Sequence, residues 1–155
     1  MSLATHRAAL VALIQAVPNI GRVHAYQRYA REDSAFRAHY LHTLSGGAKQ
    51  LRGWQISHVG VSETYVGVGR TLNEHNWVIR GYLALDDAAA TELTFDDLVE
   101  AMRAAYRANP TLGGLATGEP IGNEDGIQKR DAGPVMFCGV LCHSALLTLQ
   151  TREYV

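Results

Sequence analysis

Residues 54–85 constrain the fold more than any other part of the chain. The last run of this stretch sets Trp77, Ile79, Gly81, Leu83 and Leu85 on one side and Val78, Arg80 and Tyr82 on the other. A half-buried strand requires that period of two, because successive side chains point to opposite faces of a sheet. Two more strand-like runs, 54–59 and 63–69, precede it, with turns expected at 59–62 and 72–75, where Asn73 supplies turn chemistry. Both tryptophans of the protein, Trp54 and Trp77, fall inside this stretch. Each buries a large apolar area while its indole N–H needs a partner. The pattern predicts an antiparallel meander at the centre of a sheet.

Helical patterns surround the meander. Leu10, Leu13, Ile14 and Val17 recur at helical spacing, predicting a helix over 3–17 that Pro18-Asn19 stops. Residues 21–29 alternate weakly and predict a short strand. Asp33 or Ser34 is placed to cap a second helix with Phe36, Tyr40, Leu41 and Leu44 on its apolar stripe, ended by Gly46-Gly47. Thr94, followed by Asp97, predicts the cap of a third helix. Phe95, Leu98, Val99, Met102 and Tyr106 form its buried stripe, and Asn109-Pro110 ends it.

Residues 111–133 are rich in glycine and polar side chains. Short edge strands are expected at 112–116 and 127–130, on either side of a loop at 118–126. Residues 135–153 read as one long strand, with Gly139 marking a bulge or bend. The order α-β-α-β-β-β-α-β-β-β predicts an α+β fold, a mostly antiparallel sheet with about three helices packed on one face.

A chain of 155 residues is expected to form a single domain, 1–155, able to bury a core without metal or disulfides. Its net charge is -1 and it has no Lys/Arg-rich run, which argues against direct nucleic-acid binding. The apolar run 8–14 is too short to span a bilayer, so a soluble protein made in the cytoplasm, with no membrane partner, is expected. Cys138 and Cys142 lie four apart in one strand-like run, about 13 Å along it, too far to bridge. Both are expected to be reduced core residues.

The candidate chemistry is sparse. Seven histidines are present, His6, His24, His39, His42, His58, His75 and His143. A metal site would need three or four of them, or a cysteine, to converge, for instance His58 and His143 with a thiol. No pair has CxxC or HExxH spacing. Cys138 with His143 would make a nucleophile and base, but residues five apart on one strand face opposite ways. Gly67-Val68-Gly69 and Gly113-Gly114 do not join a strand to a helix as a phosphate cradle does. Asp86-Asp87, Asp96-Asp97 and Glu124-Asp125-Gly126 suit turns, caps and solvent better than catalysis. Arg80, Arg152 and Glu153 are charges in β-forming runs, suited to a solvated face or to a subunit contact. No catalytic, cofactor or metal-binding residue is assigned.

Several segments together carry a resemblance: Val17-Pro18-Asn19-Ile20-Gly21 with Arg22-Val23-His24, Trp54-Gln55-Ile56, Trp77-Val78-Ile79-Arg80-Gly81-Tyr82, Thr94-Phe95-Asp96-Asp97-Leu98 and the strand 143–153. In this order they resemble the tail-terminator, or tail-completion (neck), proteins of tailed phages and prophages. The resemblance implies a structural virion component without enzymatic activity. It implies a ring homo-oligomer, commonly a hexamer, that joins tail tube to head and contacts other tail and head-completion proteins. Such a protein resides in the host cytoplasm during assembly and then in the virion. Two other readings remain open: a small α+β enzyme with a site near His58, Cys138 and His143, and a binding module whose groove is lined by Trp54, Trp77 and Tyr82.

Overall fold

The alternation through residues 76–84 forms the second half of one strand in a six-stranded mixed sheet, and Leu85 lies just past its end. The computed structural model describes residues 3–117 and 126–155. In chain order the elements are α1 (Leu3–Gln15), β1 (Arg22–His24), α2 (Asp33–Ala38), β2 (Leu41–Thr43), β3 (Lys49–Gly67), β4 (Arg70–Ala84), a 3-10 turn (Asp87–Ala89), α3 (Thr91–Ala108), β5 (Gln128–Phe137) and β6 (Val140–Tyr154). The sheet runs β1-β3-β4-β6-β5, and β2 also pairs with β3. β1 lies parallel to β3, whereas the β2–β3, β3–β4, β4–β6 and β5–β6 pairs are antiparallel. The class is α+β, as the element order predicts.

The meander is longer and simpler than its sequence suggests. Two strands replace the expected three, and the reversal falls at Val68-Gly69. The turns expected at 59–62 and 72–75 lie inside β3 and β4. There Gly60, Ser62 and Asn73 pair across the hairpin with Asn76, Glu74 and Glu63. Turn-forming residues tolerate a strand when a partner strand supplies their backbone hydrogen bonds. A register shift between His58 and Gly60 marks where the local signal was misleading.

Other boundaries move for similar reasons. The strand expected over 21–29 shortens to β1. The second helix stops at Ala38, and Leu41 enters β2 against Leu51. Glu32, not Asp33 or Ser34, is its N-cap residue, and no side chain caps it. α3 begins at Thr91, after Ala90 takes φ 51°, so Thr94 lies within the helix rather than at its cap. The Thr91 hydroxyl accepts the Asp86 backbone N–H at 2.9 Å. Residues 112–116 form turns, not a strand. The strand expected at 127–130 is β5, which continues to Phe137. Residues 118–125 of the expected loop lie outside the described residues.

The run 135–153 is two strands, not one. Cys138 and Gly139 take φ 51° and 75°, and Phe137 pairs with Val140 across them. Two successive positive φ values match the right-handed twist of the flanking strands in a two-residue hairpin. Gly139 is therefore a turn, not a bulge.

The core lies between the sheet and the α1/α3 layer. Leu10 and Ile14 of α1 and Phe95, Leu98, Val99, Met102 and Tyr106 of α3 meet Trp54, Ile56, Trp77, Ile79, Leu83, Leu147 and Leu149. The apolar stripe read for α3 is buried in full. On the reverse face Tyr40, Leu51 and Cys142 form a smaller core, packed by Phe36, Tyr82 and Phe137. Both cysteines are free, Cys142 buried and Cys138 half-buried. Among the described residues no helix is long and apolar enough to cross a membrane.

Candidate functional site

At one end of the main core, four polar side chains meet from four elements. His6 enters from the first turns of α1, His58 from β3, His75 from β4 and Glu153 from β6. The sequence places them there by simple periodicity. His6 continues the Leu10–Ile14 stripe one turn back. His75 shares the face of Trp77 and Ile79, and Glu153 that of Leu147, Leu149 and Thr151. His6, His75 and Glu153 are all buried.

The contacts form a chain. His58 Nε2 lies 3.3 Å from His75 Nδ1, and His75 Nε2 lies 3.1 Å from Glu153 Oε1. His6 Nδ1 is 3.7 Å from Glu153 Oε2. With neutral rings, one proton assignment satisfies the first two contacts: His58 Nε2–H donates to His75, and His75 Nε2–H donates to the carboxylate. Among the described residues, neither nitrogen of the fully buried His6 has a hydrogen-bond partner. Beside this group the Trp77 indole N–H donates to the Thr151 hydroxyl at 2.9 Å. The Arg7 guanidinium lies over the Trp77 ring, 6.0 Å from its centroid.

Burial holds His6 below the ordinary histidine value, against the attraction of Glu153. Burial does the same to His58, aided by His75 and Arg7. His24, on the opposite side of the sheet's centre, is lowered first by burial and then by Arg28, Arg22 and His39; its Nε2, 2.7 Å from the His39 carbonyl, acts the other way. The fold disfavours the charged form of each ring, so the unfolded chain binds more protons as pH falls through about 6.5. These groups' stabilising contribution is complete above that value and is lost below it. The melting temperature is therefore expected to fall between about pH 7.5 and about pH 5, and less steeply in His24→Gln. A flat profile in the parent protein would contradict the buried neutral imidazoles.

The residues singled out in the sequence do not gather. His58 pairs with Trp77 and Trp77 with Leu149, six residues along β6 from His143, or roughly 20 Å. Cys138 sits at the β5–β6 turn, where its carbonyl accepts Arg37 Nε and Nη2 at 3.1 and 2.7 Å. Burial pushes its thiol up, away from the reactive thiolate, and pushes Cys142 up to about 11. His143 Nε2 meets the Thr91 hydroxyl at 2.8 Å instead. Trp54 and Trp77 are 0% and 1% exposed, and Trp54 lies on the opposite sheet face from Tyr82, so the three line no common groove.

Most of the remaining candidates that the structure describes have structural roles, and Glu124 and Asp125 lie outside the described residues. Asp86 caps the 3-10 turn. Asp96 pairs with Lys129 at 2.9 Å. Gly67-Val68-Gly69 is the β3–β4 reversal, and Gly113 donates its N–H to Asn109 Oδ1 in the turn after α3. Arg152 pairs with Glu74 on the neighbouring strand, Arg80 is exposed, and Glu153 is an internal acid rather than a surface charge. Comparison of the sequence with models of known protein families gives no match, and comparison with curated proteins gives none.

Proposed function

We propose that this chain is a structural ring subunit of a tailed phage or prophage, a tail-terminator-like protein that joins tail tube to head and carries no catalytic site. The observation that carries this reading is the outer edge of β3. β1 and β2 cover β3 only over residues 49–55, and among the described residues no strand pairs with its outer side from 56 to 67. That length displays Val59, Val61, Tyr65 and Val66, with Val68 at the tip, all exposed. Unpaired strand edges with exposed apolar side chains are templates for association.

β5 offers a different edge at the far side of the sheet, with Val135 and Met136 exposed. Two unlike edges on opposite sides suit head-to-tail contacts, which close into rings when the rotation permits. Partners in this role are further copies of the chain and the neighbouring tail and head-completion proteins. Its place is the host cytoplasm during assembly, and then the virion.

Light scattering coupled to size exclusion, with native mass spectrometry, tests the proposal. The parent protein is expected to form a closed oligomer of defined number, with six the number the resemblance suggests. Val61→Asp combined with Tyr65→Asp is expected to leave a folded monomer, since both side chains are exposed. A parent protein that stays monomeric over a wide concentration range would overturn the assignment.

A further inference from the structure

We propose that His6, His75 and Glu153 form a binding site for one borderline divalent cation of the zinc type, with His58 supporting it from outside. The inference is independent of the assembly reading. It rests first on convergence: one ligand atom from each of the three residues lies within 4.8 Å of the other two. Ligand atoms of a tetrahedral zinc, each about 2.0–2.2 Å from the metal, are roughly 3.3 Å apart. His75 Nε2 and Glu153 Oε1 at 3.1 Å already meet that spacing, and His6 Nδ1 is 3.7 Å from Glu153 Oε2. The His6–His75 separation, bounded at 4.8 Å, is the one that must close, by up to about 1.5 Å.

The second observation is His6 itself. It is 0% exposed, and neither ring nitrogen has a hydrogen-bond partner among the described residues. A buried imidazole without partners is destabilising unless something else satisfies it. A lone pair directed at a cation does so without needing a donor. Two neutral imidazoles and one carboxylate form a donor set that zinc accepts, with a fourth position left for water.

Two tautomers change together: His75 carries its proton on Nδ1 instead of Nε2, and His58 carries its proton on Nδ1 so that its Nε2 can accept. The cation replaces the proton on His75 Nε2, and His75 Nδ1–H then donates to His58 Nε2 across the existing 3.3 Å contact. A second imidazole that fixes the tautomer of a metal-bound histidine is a usual outer partner. The nearby Arg7 guanidinium opposes a cation, while the Glu153 charge favours one. The bound ion would tie the start of α1 to β4 and to the end of β6, segments far apart in sequence.

Chelator-treated full-length protein should be titrated with zinc(II) by calorimetry and with cobalt(II) by visible absorbance. One equivalent of zinc is expected to bind, to raise the melting temperature, and to give tetrahedral cobalt bands; magnesium and calcium are expected not to bind. Glu153→Gln and His6→Asn are expected to lose the site, and His58→Ala to weaken it about 10–100-fold. His39→Asn, outside the cluster, should bind as the parent does. Should the core variants fail to fold, histidine ring NMR of the parent decides, because zinc must shift His6 and His75 and leave His39 and His143 unmoved. No uptake by the parent, or uptake that shifts other histidines instead, would overturn the site.

Discussion

Gly81→Val is expected to remove a large part of the stability of this fold. A Cβ at residue 81 would lie 2.7 Å from Cη2 of Trp54 and closer still to Cζ3 and Cε3. Gly81 and Trp54 are direct partners across β3 and β4 on the helix-facing side, so the indole occupies the space a side chain would take. The ring has little freedom to yield. Its N–H donates to the Ile20 carbonyl at 2.9 Å, and it stacks on Phe95 at 5.4 Å between centroids and 8° between planes.

Overpacking a filled core costs about 1–3 kcal/mol and sometimes more. Valine here meets a fixed aromatic ring, so the upper part of that range is expected. That is a sizeable share of the roughly 5–15 kcal/mol a native domain commands. For a chain of this size each kcal/mol lowers the melting temperature by about 2–4 °C. Urea denaturation of the single variants and of Gly81→Val with Trp54→Leu tests the cause. The smaller leucine should recover part of the loss, giving a favourable coupling between two otherwise destabilising changes. Additive losses would show that the glycine serves some purpose other than making room for the indole.

The same pair illustrates what the sequence could disclose. The alternation Trp77, Ile79, Gly81, Leu83 is a local pattern, and so is the α3 stripe; both survive intact in the fold. Nothing local says that Trp54 stands opposite Gly81, because that depends on hairpin register. The register is set by a reversal at Val68-Gly69, whereas local turn chemistry pointed to Asn73 and to residues 59–62. The β5–β6 turn was hidden for a related reason. Period-two alternation continues through a two-residue turn, and Cys138-Gly139 lacks the usual Asn-Gly or Asp-Gly signature. The histidine–glutamate cluster was half legible. Extending the strand faces by two residues puts His75 with Trp77 and Glu153 with Thr151, and one helical turn puts His6 with Leu10. Their convergence is not legible, because His6 and Glu153 are separated by nearly the whole chain: the β4–β6 pairing brings Glu153 beside His75, and the packing of α1 on the sheet brings His6.

Tyr40 is expected to be the second position of large effect, and for a reason its sequence context concealed. Helical spacing from Phe36 placed it on an amphipathic stripe, but α2 ends at Ala38 and Tyr40 is folded under the sheet. It is 0% exposed and forms the centre of the reverse-face core. Its ring meets Phe137 at 5.0 Å, His24 at 5.1 Å, Phe36 at 5.9 Å and Tyr82 at 6.2 Å, all near edge-on. That arrangement suits aromatic quadrupoles. Tyr40→Ala would open a cavity among these rings and is expected to cost about 3–5 kcal/mol, the range for buried aromatic truncations. Tyr40→Phe isolates the hydroxyl. Its O–H donates to Gln55 Oε1 at 2.8 Å, and Gln55 is itself buried. Leaving that amide oxygen without its donor is expected to cost about 1–3 kcal/mol.

Alkaline titration offers an independent check on the same side chain. Burial, reinforced by Tyr82, pushes the Tyr40 hydroxyl up to about 12. The unfolded chain releases the corresponding proton near 10, so the folded state holds it longer. The stability this group contributes is therefore complete below about pH 10 and is lost as pH rises through about 12. The parent protein should lose stability more steeply than Tyr40→Phe across that interval, because phenylalanine has no proton to release. Equal slopes in the two proteins would mean that the hydroxyl reaches water in the folded state, and the closed reverse-face core described for Tyr40 would have to be abandoned.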